Sequence, residues 1–221
     1  AVYIAFKYTG ANGHGWYIDD VSLYESFQPC NEAEVPFTET FTGGINWCWY
    51  FIDSDMSGGD RCWQYSSSEQ CAYHPWGQQN TPQEGWLISR DIELPAGQNY
   101  LLTFDEKNSS SGTNMKNSVL VGVNGQEGSF TEVWSETSDF PSSWTRRSID
   151  LTSYAGQTIN LAFKYEGTYA HSWYIDNISV EANTPEYTIN VVANNVAWGS
   201  VTGGDTYQQG ENVISRSEER F

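Results

Sequence analysis

Positive charge is what this chain most lacks. Ten Lys and Arg stand against 28 Asp and Glu, a formal net charge of −18 at pH 7 over 221 residues. Proteins that hold nucleic acid need basic surface to displace counterions from phosphates, so no nucleic-acid partner is expected. Long apolar runs are missing as well. No stretch approaches the roughly 18 to 20 residues that a helix needs to cross a bilayer, so no membrane span is expected. Histidine is limited to three residues, and no Gly-x-Ser-x-Gly elbow, His-Glu-x-x-His pair or phosphate loop occurs. These absences argue against an enzyme; a glycosidase pair, which is defined by separation in space, ranks last among the readings. The opening Ala1-Val2-Tyr3-Ile4 has neither an initiator Met nor a charged-then-apolar leader and reads as mid-strand, as in a piece of a longer protein. Leu, Ile, Val and Phe supply only about a fifth of the residues, near the border with disorder. Ten Trp and fourteen Tyr tip the balance back toward a folded chain. Their large apolar bodies, with 20 Gly at turns, suggest an all-β protein.

An internal repeat organises the chain. Ala5-Phe6-Lys7-Tyr8 followed by Trp16-Tyr17-Ile18-Asp19 recurs as Ala162-Phe163-Lys164-Tyr165 and Trp173-Tyr174-Ile175-Asp176, with Gly10 and His14 matched by Gly167 and His171. The period exceeds that of solenoids and implies tandem copies of a whole domain. Residues 1–26 are then the last strands of a preceding copy, residues 27–182 a complete unit, and residues 183–221 a small, β-hairpin-like C-terminal repeat. Short strands separated by Gly, Asn, Ser and Pro clusters predict a jelly-roll β-sandwich. The clearest are Trp47–Asp53, Trp86–Ser89, Tyr100–Asp105, Val119–Val123, Trp144–Asp150, Ile159–Tyr165 and Trp173–Val180, with Trp86, Trp144 and Trp173 expected in the core. Long polar loops are expected at Asn108–Asn114 and His74–Gly85, and turn chemistry at Trp198–Gly204.

Several motifs in order carry a resemblance: Val35-Pro36-Phe37-Thr38-Glu39-Thr40-Phe41, Cys48-Trp49, Ile52-Asp53-Ser54-Asp55, Gly85-Trp86-Leu87-Ile88-Ser89, Ile149-Asp150-Leu151 and Trp173-Tyr174-Ile175-Asp176-Asn177-Ile178. Together they resemble the cleaved-adhesin or choice-of-anchor J family over residues 35–180. That resemblance implies a calcium-supported jelly roll, related in architecture to MAM domains. It also implies tandem copies in a secreted or cell-surface protein of a Gram-negative bacterium, and binding rather than catalysis. Residues 187–213 resemble an internalin-type B repeat, from which residues 214–221 depart.

Asp53 and Asp55 lie at the end of a Trp-rich strand, before Ser57, two glycines and Asp60. Calcium takes six to eight oxygens, and carboxylates on a glycine-bent loop can supply several; the alternative is a solvated acidic turn. An EF-hand is excluded, because its twelfth position is Gln64. The resemblance adds Asp176 to Asp53 and Asp55, with Thr40 and Asn177 as backbone-oxygen ligands. Where the family often carries Glu after the first-strand Phe, this chain has Thr42.

Cys30, Cys48, Cys62 and Cys71 are an even set that an exported chain would oxidise. Three pairings exist; Cys30 with Cys48 and Cys62 with Cys71 close the shorter loops. Buried thiols are the alternative, and a zinc site from Cys62, Cys71 and His74 fits no common spacing. For ligand binding, His74-Pro75-Trp76-Gly77-Gln78 places an indole beside amide groups, the chemistry of sugar recognition, against the alternative that Trp76 packs over the cysteine-rich loop. Tyr169 and His171 form a second candidate. The expected function is a non-catalytic adhesion module for a glycan or extracellular host protein. The alternative is an architectural spacer, or an accessory domain of a secreted protease or glycosidase.

Overall fold

The computed structural model describes residues 6, 16, 18, 30–53, 62–76, 82–110, 114–123, 129–184, 186–193, 197, 199–208, 211–213 and 216–219. Strands follow in chain order: β1 (Phe37–Glu39), β2 (Tyr50–Asp53), β3 (Gln64–Ser66), β4 (Cys71–His74), β5 (Pro82–Ile88), β6 (Ile92–Leu94), β7 (Tyr100–Asn108) and β8 (Met115–Val123). The rest are β9 (Thr131–Glu136), β10 (Thr145–Asp150), β11 (Gln157–Thr168), β12 (Trp173–Ala182), β13 (Glu186–Ile189), β14 (Gly199–Thr202), β15 (Asp205–Gln208) and β16 (Arg216–Glu219). A 3-10 turn at Thr152–Tyr154 is the only helical element among the described residues.

The chain is all-β and forms a jelly-roll sandwich of two antiparallel six-stranded sheets. The first runs β10-β7-β12-β4-β3, and the second β2-β5-β11-β8-β9. One long strand organises each sheet by pairing with two short strands in succession. β12 pairs with β4 through Trp173–Ile175 and with β1 through Ile178–Val180. β11 pairs with β5 through Ala162–Thr168 and with β6 through Gln157–Ile159. A bulge between Asp176 and Ser179, with Asn177 at φ 49°, falls where β4 gives way to β1. An extra residue there breaks the pairing and turns local side chains away from the ladder.

Strict alternation builds the core. On β7, Tyr100, Leu102 and Phe104 point inward between partly exposed neighbours. Together with Trp173, Ile175 and Val180 of the neighbouring β12, they face Leu161, Phe163 and Tyr165 of β11 in one cluster. Phe163 is its hub, with ring centroids 5.3 Å from Phe104, 6.1 Å from Trp173 and 6.3 Å from Trp49. Each such buried side chain contributes about 1.5–3 kcal/mol, which is how an aliphatic-poor chain sustains a core. A second cluster of Ile88, Leu120 and Ala162 lies outside the second sheet beneath Ile52, Trp86 and Phe130. It accounts for the imperfect alternation in Val119–Val123: the middle of this sheet is apolar on both faces.

Several expectations need correction. Trp173 is buried, but Trp86 belongs to the outer cluster and Trp144 is 40% exposed beneath the Lys107 ammonium. β2 begins at Tyr50 rather than Trp47, because Asn46–Trp49 is a turn closed by Trp49 N–H on the Asn46 carbonyl. The loop expected up to Gly85 ends at Pro82, where β5 starts. Beyond Ala182, β13 pairs with β15 and β14 with β16, so Gly203-Gly204 joins strands of different small sheets instead of closing a hairpin. Of residues 1–26, all but Phe6, Trp16 and Ile18 lie outside the described residues.

Candidate functional site

At one end of the sandwich, β4, β7 and β11 end where β5, β8 and β12 begin. Ser172 ties the loops between them. Its hydroxyl accepts the Trp76 backbone N–H at 2.9 Å, its carbonyl accepts Ser109 N–H at 3.0 Å, and its own N–H donates to Ser109 Oγ at 3.0 Å. The loops that carry the two segments sequence offered as separate candidates are thereby hydrogen-bonded to each other. Trp76 is 58% exposed and Tyr169 62%, with half-buried His171 between Tyr169 and Ser172. Tyr169 sits at φ 53°, a left-handed conformation that non-glycine residues rarely adopt.

His74 is not part of that surface. Strand alternation turns it inward opposite Trp173, where it is buried, stacked on Tyr165 at 4.0 Å and edge-on to Trp63. Gly85 makes the room, since a Cβ there would collide with the imidazole. The floor beneath Trp76 is thus a packed aromatic layer, and His74 supports the site from below. Gln78 lies outside the described residues.

Alternation also separates the thiols from the imidazole. Cys71 and His74 occupy opposite phases of β4, so a zinc site combining them is ruled out by geometry. Cys30 and Cys48 form a disulfide with Cα atoms 5.4 Å apart, within the range a bridge requires. Cys62 and Cys71 remain thiols, contrary to a second bridge. Burial, together with Asp176 and Glu69, pushes the Cys71 thiol up to about 12, so it stays protonated and inert.

The bulge on β12 sets up the second locale. Burial, with Asp105 and Glu39 nearby, holds the Asp176 carboxyl above its usual range against an opposing backbone hydrogen bond from Asn177. Its Oδ1 is buried and has no hydrogen-bond partner among the described residues. Asn177 Nδ2 donates instead to Asp105 at 2.9 Å, and Asp105 is held low chiefly by its hydrogen bond from Arg146. Glu39 is spoken for: it accepts Phe41 N–H at 2.8 Å, Asn46 Nδ2 at 2.7 Å and Trp49 Nε1 at 2.9 Å. Thr40 and Thr42 share a hydroxyl hydrogen bond at 3.0 Å. Asp55 and the Asp53 side chain lie outside the described residues, among which no group of three or more His, Cys, Asp or Glu could hold a metal. An unpaired, desolvated carboxylate oxygen is nonetheless the chemistry a hard cation relieves.

Sequence reasoning missed the polar interior under the loops. Gln83, Asn108 and Asn117 are buried on the inward faces of β5, β7 and β8, and neither amide atom of Gln83 has a hydrogen-bond partner among the described residues. A polar residue in phase with Leu87, four positions on, is the signal that marks Gln83.

No family model matches the chain. Hemagglutinin A of Porphyromonas gingivalis is 36% identical over 84 residues, 37% of this chain and 3% of that protein. The chain therefore matches only a small part of that relative's length. Among solved structures, a cleaved adhesin domain of Lys-gingipain from Porphyromonas gingivalis strain W83 superposes with a TM-score of 0.52 at 16% identity, covering 65% of this chain and 97% of that domain. The sandwich is therefore of the cleaved-adhesin type in fold.

Proposed function

We propose that residues 27–182 form a non-catalytic adhesion module of a secreted or surface-exposed multidomain bacterial protein, binding a glycan or an extracellular host protein through the surface that carries Trp76 and Tyr169. One observation carries the reading: two loops far apart in sequence, each with an exposed aromatic ring, are hydrogen-bonded to each other through Ser172. Exposed aromatic faces bordered by polar groups suit sugar rings and protein side chains alike. The similarity to Hemagglutinin A over part of the chain supports the adhesive setting. In the choice-of-anchor J reading, calcium supports the module at the β12 bulge. Asp176 would hold it through the orphaned oxygen, with Asn177 and Thr40 beside it and Asp53 and Asp55 completing the set. A bound cation would supply charge compensation and rigidity there. Residues 187–213 extend the array as a small repeat of the internalin type.

The test is binding of the full chain to an array of glycans and extracellular matrix proteins, with calcium and with chelator. A hit weakened at least tenfold by Trp76→Ala is the expected result. A blank from folded protein under both conditions overturns the reading and favours an architectural spacer.

A further inference from the structure

The loop that joins β11 to β12 holds an exposed ring in a conformation its residue type disfavours. Tyr169 is 62% exposed at φ 53°, in the left-handed region that Gly and Asn enter at low cost and a bulky aromatic residue does not. Backbone of this kind persists only where its surroundings hold it, and it gathers at functional sites. Here the hold is visible. Thr168 N–H donates to the Asn114 carbonyl at 2.9 Å, and Ser172 N–H donates to Ser109 Oγ at 3.0 Å, so both ends of the loop are fixed to the chain between β7 and β8. Between them Ala170 is buried against Gly167, where a Cβ would lie 2.8 Å from the Ala170 Cβ and 2.7 Å from the Tyr165 hydroxyl. With Ala170 turned inward, Tyr169 is turned out.

The chain carries its own comparison. In the repeated motif Tyr8, Gly10 and His14 stand where Tyr165, Gly167 and His171 stand, and the residue matching Ala170 is the equally small Gly13, so the framework of the loop is common to both copies. Two positions on it differ in kind. Asn12 matches Tyr169 and Gly15 matches Ser172. Asn is a residue the left-handed region favours, and Gly has no hydroxyl to accept a hydrogen bond such as that from Trp76 N–H. A loop of this plan therefore closes at lower backbone cost with Asn than with Tyr. The departures fall on the exposed ring and on the link to the Trp76 loop, while the residues that only shape the turn are shared.

Composition narrows the ligand. Residues 75–76, 109–110, 141–144 and 168–172 form the described loops at this end, and none is Asp, Glu, Lys or Arg, in a chain of net charge −18. Their exposed large side chains are Trp76, Trp144 and Tyr169, all aromatic and none aliphatic, among serine and threonine hydroxyls. A protein partner is usually met by an apolar core of many residues. Separate aromatic faces with uncharged hydroxyls between them suit sugar rings, and no cation is there to recruit an anionic glycan.

We propose that residues 168–172 are the specificity loop of the module, in which Tyr169 is the platform for one ring of a neutral saccharide and Ser172 positions the Trp76 loop. The proposal rests on the binding-module reading above and deepens it. A ring kept for recognition costs stability when no ligand is present, whereas a ring kept for packing adds it. Replacing Tyr169 and Ser172 by the residues of the other copy separates the two roles, because the main-chain bonds that anchor the loop remain.

The experiment screens the full chain, as wild type, Tyr169→Asn, Tyr169→Phe, the Tyr169→Asn, Ser172→Gly double variant and Trp76→Ala, on neutral oligosaccharides ending in hexose or N-acetylhexosamine, sialylated and sulfated ones, and extracellular matrix proteins, with a thermal melt of each variant. Expected are neutral hits, weakened about tenfold or more by Tyr169→Asn at an unchanged or higher Tm, kept within about threefold by Tyr169→Phe, and lost in the double variant. Neutral binding that survives Tyr169→Asn while Trp76→Ala abolishes it overturns the specificity loop and leaves the adhesion reading intact. A lowered Tm in Tyr169→Asn makes the ring structural, and a loss in Tyr169→Phe equal to that in Tyr169→Asn shows that no ring platform is used; either overturns the role of Tyr169. Preference for sialylated or sulfated glycans, or binding of matrix proteins alone, overturns the ligand class without touching the adhesion reading. A blank in every arm from folded protein overturns both.

Discussion

Ser172→Ala should loosen the binding surface while leaving the sandwich intact. The backbone of Ser172 keeps its hydrogen bonds to Ser109, because those use main-chain N–H and C=O groups that alanine retains. Only the hydroxyl is lost, and with it the acceptor for Trp76 N–H. Losing one such partner while the donor stays partly buried costs about 1 kcal/mol, with about 2 as the upper end. For a sandwich of this size that is a fall in Tm of roughly 2–4 °C. The same loss should speed local opening at Trp76 about fivefold, because 1.4 kcal/mol corresponds to a factor of ten. Amide hydrogen exchange read residue by residue is the assay. Faster exchange should centre on Trp76 and its neighbours, while Leu102, Phe163 and other core amides keep their protection relative to global stability. Affinity for any ligand that needs Trp76 should fall by a similar factor, since the ring must be positioned afresh on binding. Unchanged protection at Trp76 would refute the claim that Ser172 couples the two loops.

Removing the Cys30–Cys48 bridge, which spans 18 residues, should cost about 3 kcal/mol by loop-closure entropy, or roughly 6–12 °C in Tm. The Cys30→Ser, Cys48→Ser double variant should melt like reduced wild type, and a shift below about 2 °C would contradict the estimate. Stability should rise on mild acidification. Desolvation raises Glu106, despite its pairing with Arg147, and also Asp176, so both bind protons more tightly folded than unfolded. Their protonation stabilises the fold, and that gain is lost as pH rises from the ordinary carboxylate range through their raised values. Asp105, Glu132, Glu136 and Asp150 are held low and withdraw support only as pH falls below that ordinary range. Urea midpoints should therefore increase from pH 7 toward about pH 5 before collapsing; a flat or falling profile over that interval would count against it. Calcium should raise Tm, and Asp176→Asn should abolish the rise and lessen the gain on acidification. Identical melts with calcium and with chelator would remove the cation from the β12 bulge.

Alternation and aromatic spacing made the long strands legible. β7, β8, β11 and β12 each carry enough residues for the inward phase to show, and the repeated Trp-Tyr-Ile-Asp marks β12 directly. Strands of three or four residues have no such period, which is why β3, β4 and β6 escaped notice and β1 was marked only through the resemblance; β9 escaped because Thr131–Glu136 is polar along an edge. Trp76 and Tyr169 could be read as exposed from the Pro, Gly and Asn around them. Their union could not, because it hangs on one hydrogen bond between residues 96 apart in sequence. His74 was misplaced for a related reason: a histidine beside Pro-Trp-Gly looks like a loop residue until the pairing of Cys71–His74 with Trp173–Ile175 fixes its phase.

The inward phase of several strands changes character along its length. β5 runs from Leu87 to Gln83, β7 from Leu102 and Phe104 to Asn108, β8 from Val121 and Val119 to Asn117, and β4 from Ala72 to His74. On β4, β5 and β7 the polar end lies under the loops, whereas on β8 the apolar Met115 follows Asn117 toward the loop. A core optimised only for stability would continue the apolar phase to the rim, since buried amides without partners oppose folding. Stability therefore resides around Phe163 and Trp173, and the loop end gives some of it up. That division predicts where change is tolerated: a conservative apolar substitution at Gln83 should preserve or improve folding, while truncation of Phe163 should cost about 3–5 kcal/mol.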